Sequence, residues 1–160
     1  MKKYDVIIIG AGAAGLMCAA EALKRNRSVL ILEKSNKPGK KILISGGGRC
    51  NFTNLNIEPQ AFLSKNPHFC KSALSRYTQW DIIALLESFQ LSWKEKKLGQ
   101  LFCDQKSSGV LSALLKNCQK AHIKMNIETF SIKKEQSYVL STNNGEYQTQ
   151  SLVIATGGPS

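Results

Sequence analysis

The order of apolar and polar residues at the start of the chain predicts a strand, a turn, a helix and a second strand. Residues 4–9 and 28–33 are apolar runs of the kind found in strands buried on both faces of a parallel sheet. A glycine-rich turn and a stretch with helical character lie between them. This order is typical of the first half of a doubly wound α/β sheet.

The polar pattern then predicts a long loop followed by a helical region. Residues 34–56 show no helical period and only a short apolar island at 42–44, and loops of this length are usually functional. Residues from about 59 to 91 favour helix, with Thr78 and Asp81 spaced as in a capping box. At helical spacing, Tyr77 and Trp80 favour a place in the core over a role as a stacking surface.

The second half of the pattern predicts short strands around one further helix. Ser107 or Ser108 is suited to start that helix, which runs to about residue 120. The sequence Asn143-Asn144-Gly145 predicts a hairpin turn. The predicted strands are 92–96, 101–103, 123–127, 137–142, 146–150 and, as the next core strand, 151–155.

Together these elements predict an α/β fold, a Rossmann-like parallel sheet within a single domain over residues 1–160. A helical insertion is expected at about 57–91 and a small antiparallel insertion at about 128–150. A complete doubly wound sheet needs about five or six parallel strands. The pattern supplies four candidates, so the sheet is expected to be incomplete at the C-terminus.

The turn after the first strand reads Gly10-Ala11-Gly12-Ala13-Ala14-Gly15, a G-x-G-x-x-G pattern. In such turns the first glycine permits the tight bend, the second lets the backbone approach a pyrophosphate, and the third permits close packing of helix and strand. Unpaired N–H groups at the helix start then hold phosphate. The turn therefore predicts a dinucleotide site.

Glu33 closes the second strand, 18 residues after Gly15, by subtraction of the two sequence numbers. That is close to the spacing of about 20 residues at which a carboxylate reaches the adenosine ribose hydroxyls. An acid at this place repels a 2′-phosphate. The expected cofactor is therefore FAD or NAD and not NADP.

The composition of the chain predicts a basic surface. The net charge of +11 attracts polyanions, but the basic residues are scattered, which favours a solvated face over a nucleic-acid partner. The five cysteines contain no C-x-x-C pair and predict neither a disulfide framework nor a metal site. No signal peptide or membrane span is visible, so a cytoplasmic protein is expected.

Three blocks resemble two-dinucleotide-type FAD flavoproteins: the Gly10 to Gly15 turn with Glu33, residues 39–54, and residues 152–158. The middle block, GKKILISGGGRCNFTN, resembles bacterial NAD(FAD)-utilising dehydrogenases and aminoacetone-oxidase-like flavoproteins. The resemblance extends through residues 66–69, 76–81 and 98–103, and so covers essentially the whole chain. It makes FAD the expected cofactor, with NAD(P)H possible as electron donor.

The resemblance also assigns roles to single residues. It places Gly10, Gly12, Ala13, Ala14 and Gly15 at the pyrophosphate and Glu33 at the adenosine ribose. It places the backbone of Phe130 at the adenine, and Ala155, Thr156 and Gly157 near the cofactor from the last strand. On the flavin and ribityl side it places Lys34, Lys41, Ser45, Gly48, Arg49, Asn51 and Thr53.

An FAD-dependent oxidoreductase, or its N-terminal portion, is the expected function. Relatives in this family are more than twice as long and continue into a substrate domain, so a dinucleotide-binding module without turnover is one alternative. A flavoprotein acting on RNA is another, suggested by the positive charge. Cys50 favours packing over redox chemistry, and His68 and His122 favour ordinary roles, so no catalytic residue, substrate or oligomeric state is predicted.

Overall fold

A computed structural model describes residues 1–158; Pro159 and Ser160, the last two residues of the predicted terminal glycine turn, lie outside the described residues. The described chain divides into two units. The first unit contains Met1–Lys41 and the described residues from Leu114 onward, and the second unit is Ile42–Ala113.

Nine strands and five α-helices make up the described chain. The strands are β1 Lys2–Ile9, β2 Val29–Leu32, β3 Asn51–Asn54, β4 Trp93–Glu95, β5 Gln100–Cys103, β6 His122–Lys124, β7 Thr129–Lys134, β8 Tyr138–Thr142 and β9 Gly145–Ile154. The helices are α1 Ala13–Leu23, α2 Lys40–Ile44, α3 Lys71–Arg76, α4 Gln79–Ser88 and α5 Lys106–Asn117. Short 3₁₀ turns cover Ser45–Gly48, Pro59–Ala61 and Lys97–Gly99.

The first unit is built on a mixed sheet with the strand order β6-β2-β1-β9-β8-β7. The strands β6, β2, β1 and β9 run parallel, and β8 and β7 extend the sheet in antiparallel fashion. This confirms the predicted α/β, Rossmann-like class. Every residue of β2 is buried, which explains why its sequence is an unbroken apolar run.

The core of the first unit holds the carboxyl ends of the parallel strands in place. Its cluster of buried side chains is Ile7, Leu30, Leu32, Ile127, Leu140 and Tyr147. Fully burying one such aliphatic side chain contributes about 1.5–3 kcal/mol. The cluster therefore fixes β1 and β2, and with them the residues that directly follow these strands.

The predicted separation of a hairpin strand from the last core strand was wrong, because β9 is one continuous strand. Its first half pairs antiparallel with β8, from Gly145 to Thr149, and it pairs parallel with β1 from Tyr147 to Ile154. The antiparallel strands expected over about 128–150 are confirmed as β7, β8 and the first half of β9, and they extend the main sheet at its edge. The pairing with β1 overlaps the pairing with β8 and carries the strand past Gln150, where a break was predicted.

The predicted loop over 34–56 and the predicted helix over 59–91 were each only partly right. The loop region contains α2, a 3₁₀ turn and β3. The helical region contains a 3₁₀ turn, α3 and α4, while residues 62–70 are not helical. Pro67 interrupts this stretch, since proline disfavours helix at the residue before it.

The capping box at α4 is confirmed, because the Thr78 N–H donates to Asp81 Oδ2 at 2.6 Å. The interpretation of Tyr77 and Trp80 as core residues was wrong, since both side chains are exposed. The core face of α4 consists of Ile83 and Leu86 instead.

The second unit contains α3, α4 and a three-stranded antiparallel sheet with the order β3-β5-β4. The helix α5 begins at Lys106, before both predicted N-cap residues, Ser107 and Ser108, so Ser107 is inside the helix and buried. Among the residues described, no helix has the length and apolar character that crossing a membrane would require.

Candidate functional site

The carboxyl ends of β1, β2 and β9 meet at one edge of the first unit's sheet. The Gly10 N–H donates to Leu32 O at 2.8 Å, and the Ala155 N–H donates to Ile9 O at 2.8 Å. These bonds hold the residue after each strand beside its neighbour. In parallel sheets this edge is where ligands bind.

Two glycines of the turn are required by close backbone contacts. Gly10 has φ +108°, and a Cβ there would lie 2.3 Å from Ala155 O. A Cβ on Gly15 would lie 2.0 Å from Gly10 O, so the close approach of α1 to the turn depends on that glycine. Both glycines therefore serve the fold of the turn itself.

Gly12 differs from these two glycines. Its φ of −85° suits any residue, and a Cβ there would meet nothing within 4 Å. The space above Gly12 is therefore open, and a ligand group can approach the backbone closely there. This is the geometry that a pyrophosphate needs.

The first turn of α1 faces the same open space with unused backbone donors. The first backbone hydrogen bond of the helix runs from Leu16 N to Gly12 O at 3.0 Å. The N–H groups of Ala13, Ala14 and Gly15 precede it and have no acceptor within the helix. Ala13 and Ala14 are exposed, and the first turn carries no acidic side chain that would repel an anion.

Glu33 follows β2 directly, and three donors orient its carboxylate toward the turn. The Ala11 N–H donates to Oε2 at 2.7 Å, and the Ser35 N–H and hydroxyl approach Oε1 at 2.8 and 2.7 Å. Gly39 N–H donates in turn to Ala11 O at 2.8 Å. The acid is thus locked beside the glycine turn.

The Glu33 carboxylate can accept further hydrogen bonds, because the Ser35 hydroxyl has a second acceptor to which it can donate. The single hydrogen of this hydroxyl faces both Glu33 Oε1 and Lys37 O, which lies 2.8 Å away, and it donates to one of them at a time. When it turns to Lys37, each carboxylate oxygen keeps one backbone donor and one unused acceptor position. Two neighbouring hydroxyls, as on a ribose, match that capacity.

Partial burial and hydrogen bonding act in opposite directions on Glu33. Desolvation raises the pKa of its carboxyl, but the hydrogen bonds from Ala11 and Ser35, with Lys40 nearby, outweigh desolvation and hold the pKa below its ordinary value. The group is therefore ionised at neutral pH. An ionised carboxylate accepts hydroxyl donors and repels a phosphate.

The Glu33→Gln substitution is expected to lower stability in a pH-dependent way. A carboxyl whose pKa is lowered on folding stabilises the fold above its unfolded pKa, about 4.3, and loses that contribution as pH falls through the folded value. The wild type is expected to unfold at a higher temperature than the variant at pH 7. The difference should shrink below about pH 4.3.

Thermal unfolding followed by circular dichroism between neutral and acid pH measures this difference. Glu146→Gln, on the exposed side of β9, serves as a control for removing a surface charge. A wild-type advantage over Glu33→Gln that stays constant down the pH range would show that the ionised carboxylate does not organise the turn.

Lys41 and the residues after β9 also lie at this edge. The Lys41 ammonium donates to Gly158 O at 2.8 Å, and Gly157, in the same segment, has φ +80°. Ala155 is half-buried, while Thr156 and Gly157 are exposed. Lys34 is held by an ion pair with Glu128 at 2.6 Å, on the exposed surface.

Phe130 lies at a bulge in β7. Thr129 pairs with Thr142 and Ser131 with Ser141, so two residues of β7 oppose one of β8, and Phe130 is the extra residue. The extra residue of a bulge is left out of the ladder, and its backbone groups are free to bind elsewhere. Next to it, the buried Thr129 hydroxyl has no partner among the described residues.

The other predicted residues belong to the second unit: Ser45, Gly48, Arg49, Asn51 and Thr53. The buried hydroxyl of Ser107 approaches Leu43 O at 2.9 Å and Gly48 O at 3.0 Å, and thereby ties both ends of the Ser45–Gly48 turn to α5. Arg49 is exposed and its Nε donates to Gly46 O at 3.2 Å.

Asn51 and Thr53 serve the local sheet of the second unit. With its amide nitrogen facing the carbonyls, Asn51 donates to Thr53 O at 2.9 Å and to Leu101 O at 3.1 Å. Thr53 pairs with Leu101 in the sheet. Cys50, between the turn and β3, is buried, which agrees with the packing role expected for it.

The sequence analysis missed the positioning roles of two residues, Ser35 and Ser107. Ser35 stands two residues after an acid, a spacing at which serine often bonds to nearby side chains and backbone, so a local signal existed. Ser107 acts on residues about 60 positions away in the chain. No local pattern reveals such a contact.

The sequence of the chain matches a known protein family. Residues 4–160 match the family model described as HI0933-like protein Rossmann domain. The chain is 50% identical over 161 residues to the ribosomal RNA dihydrouridine synthase of Escherichia coli, covering 99% of this chain and 40% of that protein. It is 47% identical over 166 residues to the protein of the same name from Haemophilus influenzae, covering 99% and 41%.

The chain therefore spans about two fifths of the length of these relatives. Among solved structures, it is similar to glycine oxidase from Geobacillus kaustophilus, with a TM-score of 0.60 and 19% identity over 98% of this chain and 56% of that one. At this identity the likeness concerns the fold alone.

Proposed function

Because this chain belongs to the HI0933-like family of Rossmann-domain proteins, we propose that it is the FAD-binding part of a flavoprotein that reduces uridine in ribosomal RNA. The observation that carries the cofactor assignment is the pairing, at one sheet edge, of open space above Gly12 with an oriented Glu33 carboxylate. The substrate class rests on the two curated relatives, which are 50% and 47% identical to this chain.

The residues at the edge fit FAD part by part. The pyrophosphate fits the N–H groups at the start of α1, and the adenosine ribose fits the two unused acceptor positions of Glu33. The adenine fits the unpaired backbone at Phe130. The Lys41 ammonium and the Gly157 backbone stand at the end of β9, where they would face the isoalloxazine side.

When bound in its reduced form, FAD supplies a hydride, which together with one proton converts a carbon–carbon double bond such as that of the uracil ring to a single bond. Reduction of that bond takes up two electrons, which a bound reduced flavin would supply. We propose a reduced nicotinamide nucleotide as the class of donor that restores them. The residues of this chain bind and orient the cofactor, and the Gly12 turn fixes its phosphates.

The Phe130→Pro and Phe130→Ala variants separate a backbone contact from a side-chain contact. Proline removes the N–H at the bulge, whereas alanine keeps it. FAD affinity is expected to fall about tenfold in the proline variant, as for one lost hydrogen bond, and to change less than about threefold in the alanine variant. Calorimetric titration with FAD measures both, and equal losses in the two variants would overturn the backbone role.

Deletion of the gene in the cell that carries it tests the proposed reaction. Ribosomal RNA from the deletion strain, digested to nucleosides and analysed by mass spectrometry, should have lost dihydrouridine. The wild-type gene should restore it, and a Gly12→Val gene should not. Unchanged dihydrouridine in the deletion strain would refute the RNA substrate, and a dinucleotide-binding role would remain if the purified protein still held FAD.

A further inference from the structure

Residues 59–80 are a largely exposed segment of the second unit, here named the 59–80 surface. None of these residues, all of which the structure describes, is buried, and Ala61 to Phe69 are exposed without interruption. A stretch of this composition would bury its large apolar side chains if the unit offered a place for them. Its exposure calls for a partner.

Aromatic side chains dominate the apolar part of this surface. Trp80 is 59% exposed and Phe69 81%, and Phe62 and Tyr77 are exposed as well. The exposed rings of Phe69 and Trp80 present flat faces on which other rings can stack. Exposure turns Trp80, an expected core residue, into a candidate for binding.

The charge of the 59–80 surface is uniformly positive. Between Glu58 and Asp81 the sequence contains Lys65, Lys71 and Arg76 and no acidic residue. All three cations are exposed, and no carboxylate of a described residue forms a salt bridge with them. Asp81, at the boundary, is occupied by the backbone and hydroxyl of Thr78.

We propose that the 59–80 surface binds single-stranded RNA, with its aromatic side chains stacked on bases and its cations against phosphates. This inference rests on the proposed function and specifies how the RNA is held. Positive charge combined with exposed aromatic rings is the chemistry with which proteins hold unpaired strands. Stacking supplies affinity without selecting a sequence.

The proposed reaction explains why such a surface is needed. An enzyme that acts on a base must take that base out of the stack, and the unstacking costs a few kcal/mol. Stacking on aromatic side chains contributes about 1–3 kcal/mol per base. A surface with several exposed rings therefore offsets the cost of keeping a reactive strand open.

The test measures binding of the purified chain to a fluorescein-labelled oligouridine of about 12 nucleotides, a length within the range that single-strand sites cover. Phe69→Ala and Trp80→Ala are each expected to weaken binding about tenfold or more. Leu98→Ala removes an exposed apolar side chain outside the surface and should change affinity less than about twofold. Circular dichroism confirms that each variant is folded.

Charge and stacking can be separated by salt titration. Lys71→Gln is expected to reduce the slope of log affinity against log salt by about 0.7, the value for one phosphate contact on a single strand. Lys133→Gln, on β7, is the matched control and should leave the slope unchanged. Phe69→Ala should lower affinity with little change in slope, because it removes no charge.

Tryptophan fluorescence gives a second readout that does not depend on affinity. The chain has two tryptophans, and the indole N–H of Trp93 donates to Glu87 at 3.1 Å, whereas Trp80 is exposed. Saturating oligouridine is expected to quench the emission of the Trp93→Phe variant, in which Trp80 remains. It should leave the emission of the Trp80→Phe variant nearly unchanged.

Three results would overturn the proposal: no binding of oligouridine by the wild type, wild-type affinity in both aromatic variants, or equal quenching in both tryptophan variants. If the aromatic variants instead convert a dimer to a monomer in sedimentation and leave RNA binding intact, the surface joins copies of this chain. FAD binding and the dihydrouridine content of cellular ribosomal RNA test the proposed function separately. A failure of RNA binding at the 59–80 surface can therefore be distinguished from a failure of the proposed function.

Discussion

The Gly12→Val variant is expected to fold and to lose its flavin. The backbone at Gly12 has an ordinary φ of −85°, and a Cβ there meets nothing within 4 Å, so valine fits the folded chain. Its side chain then fills the space that the pyrophosphate needs. Losing two hydrogen bonds to a charged group, at about 1.5–3 kcal/mol each, weakens FAD binding by more than about 100-fold.

Titration of flavin-free protein with FAD measures that loss. Ala84→Val, on the exposed face of α4, adds the same bulk elsewhere and should bind FAD as the wild type does. Without flavin, the wild type, Gly12→Val and Ala84→Val should have the same circular dichroism spectrum. Their free energies of unfolding should agree to within about 1 kcal/mol, the cost of valine at a helix N-cap. Wild-type FAD affinity in Gly12→Val would exclude the turn as the phosphate site.

The Gly10→Ala variant is expected to be severely destabilised. A Cβ at Gly10 would lie 2.3 Å from the Ala155 carbonyl oxygen and 2.7 Å from its carbon, and both are backbone atoms that cannot rotate away. The φ of +108° adds further strain to any residue with a side chain. Overpacking costs about 1–3 kcal/mol and the left-handed backbone about 1–2 kcal/mol, so a loss of about 2–5 kcal/mol is expected.

Gly12→Ala is the matched control, because it places the same methyl group two residues away in open space. Urea unfolding of both variants without flavin should show a much lower midpoint for Gly10→Ala and a nearly unchanged one for Gly12→Ala. Equal midpoints would mean that β1 and β9 are not joined through Gly10 as described. The pair thus separates the glycine that the fold requires from the glycine that the ligand requires.

The sequence was sufficient where the signal is local. The turn from Gly10 to Gly15 and the acid at Glu33 were predicted because Gly15 packs on Gly10 and the Glu33 carboxylate accepts from Ala11 and Ser35, which are near in the chain or directly across β1 and β2. The class of the fold followed from the same blocks. Even there, the distinct roles of Gly10 and Gly12 became visible only from the distances to Ala155.

The predictions were wrong where burial or strand pairing depends on residues that are distant in the chain. Tyr77 and Trp80 have helical spacing, but spacing does not say whether another element covers them, and in the structure they are exposed. The break predicted near Gln150 was reasonable for a hairpin, yet β1 continues the pairing of β9 past that point. The contacts of Ser107 with Leu43 and Gly48 span too many residues to be seen in a pattern.

The scattered positions of the basic residues along the chain predict a solvated face and disfavour RNA as a partner. Between Glu58 and Asp81, however, three cations and several exposed aromatic side chains lie in one segment without acidic residues. The same +11 charge that first indicated a solvated face therefore supports a polyanion partner. Salt dependence of RNA binding measures how much of the charge takes part.

Calorimetric titration of the flavin-free chain with FAD, FMN and NAD tests the central proposal most directly. FAD offers a pyrophosphate to the Gly12 turn, a ribose to Glu33 and a flavin, whereas FMN lacks the pyrophosphate and adenosine and NAD lacks the flavin. One FAD per chain is expected to bind with a Kd of about 1 μM or lower, and FMN and NAD at least about tenfold more weakly. No binding of FAD, or tighter binding of NAD than of FAD, would contradict the assignment of this edge as a flavin dinucleotide site.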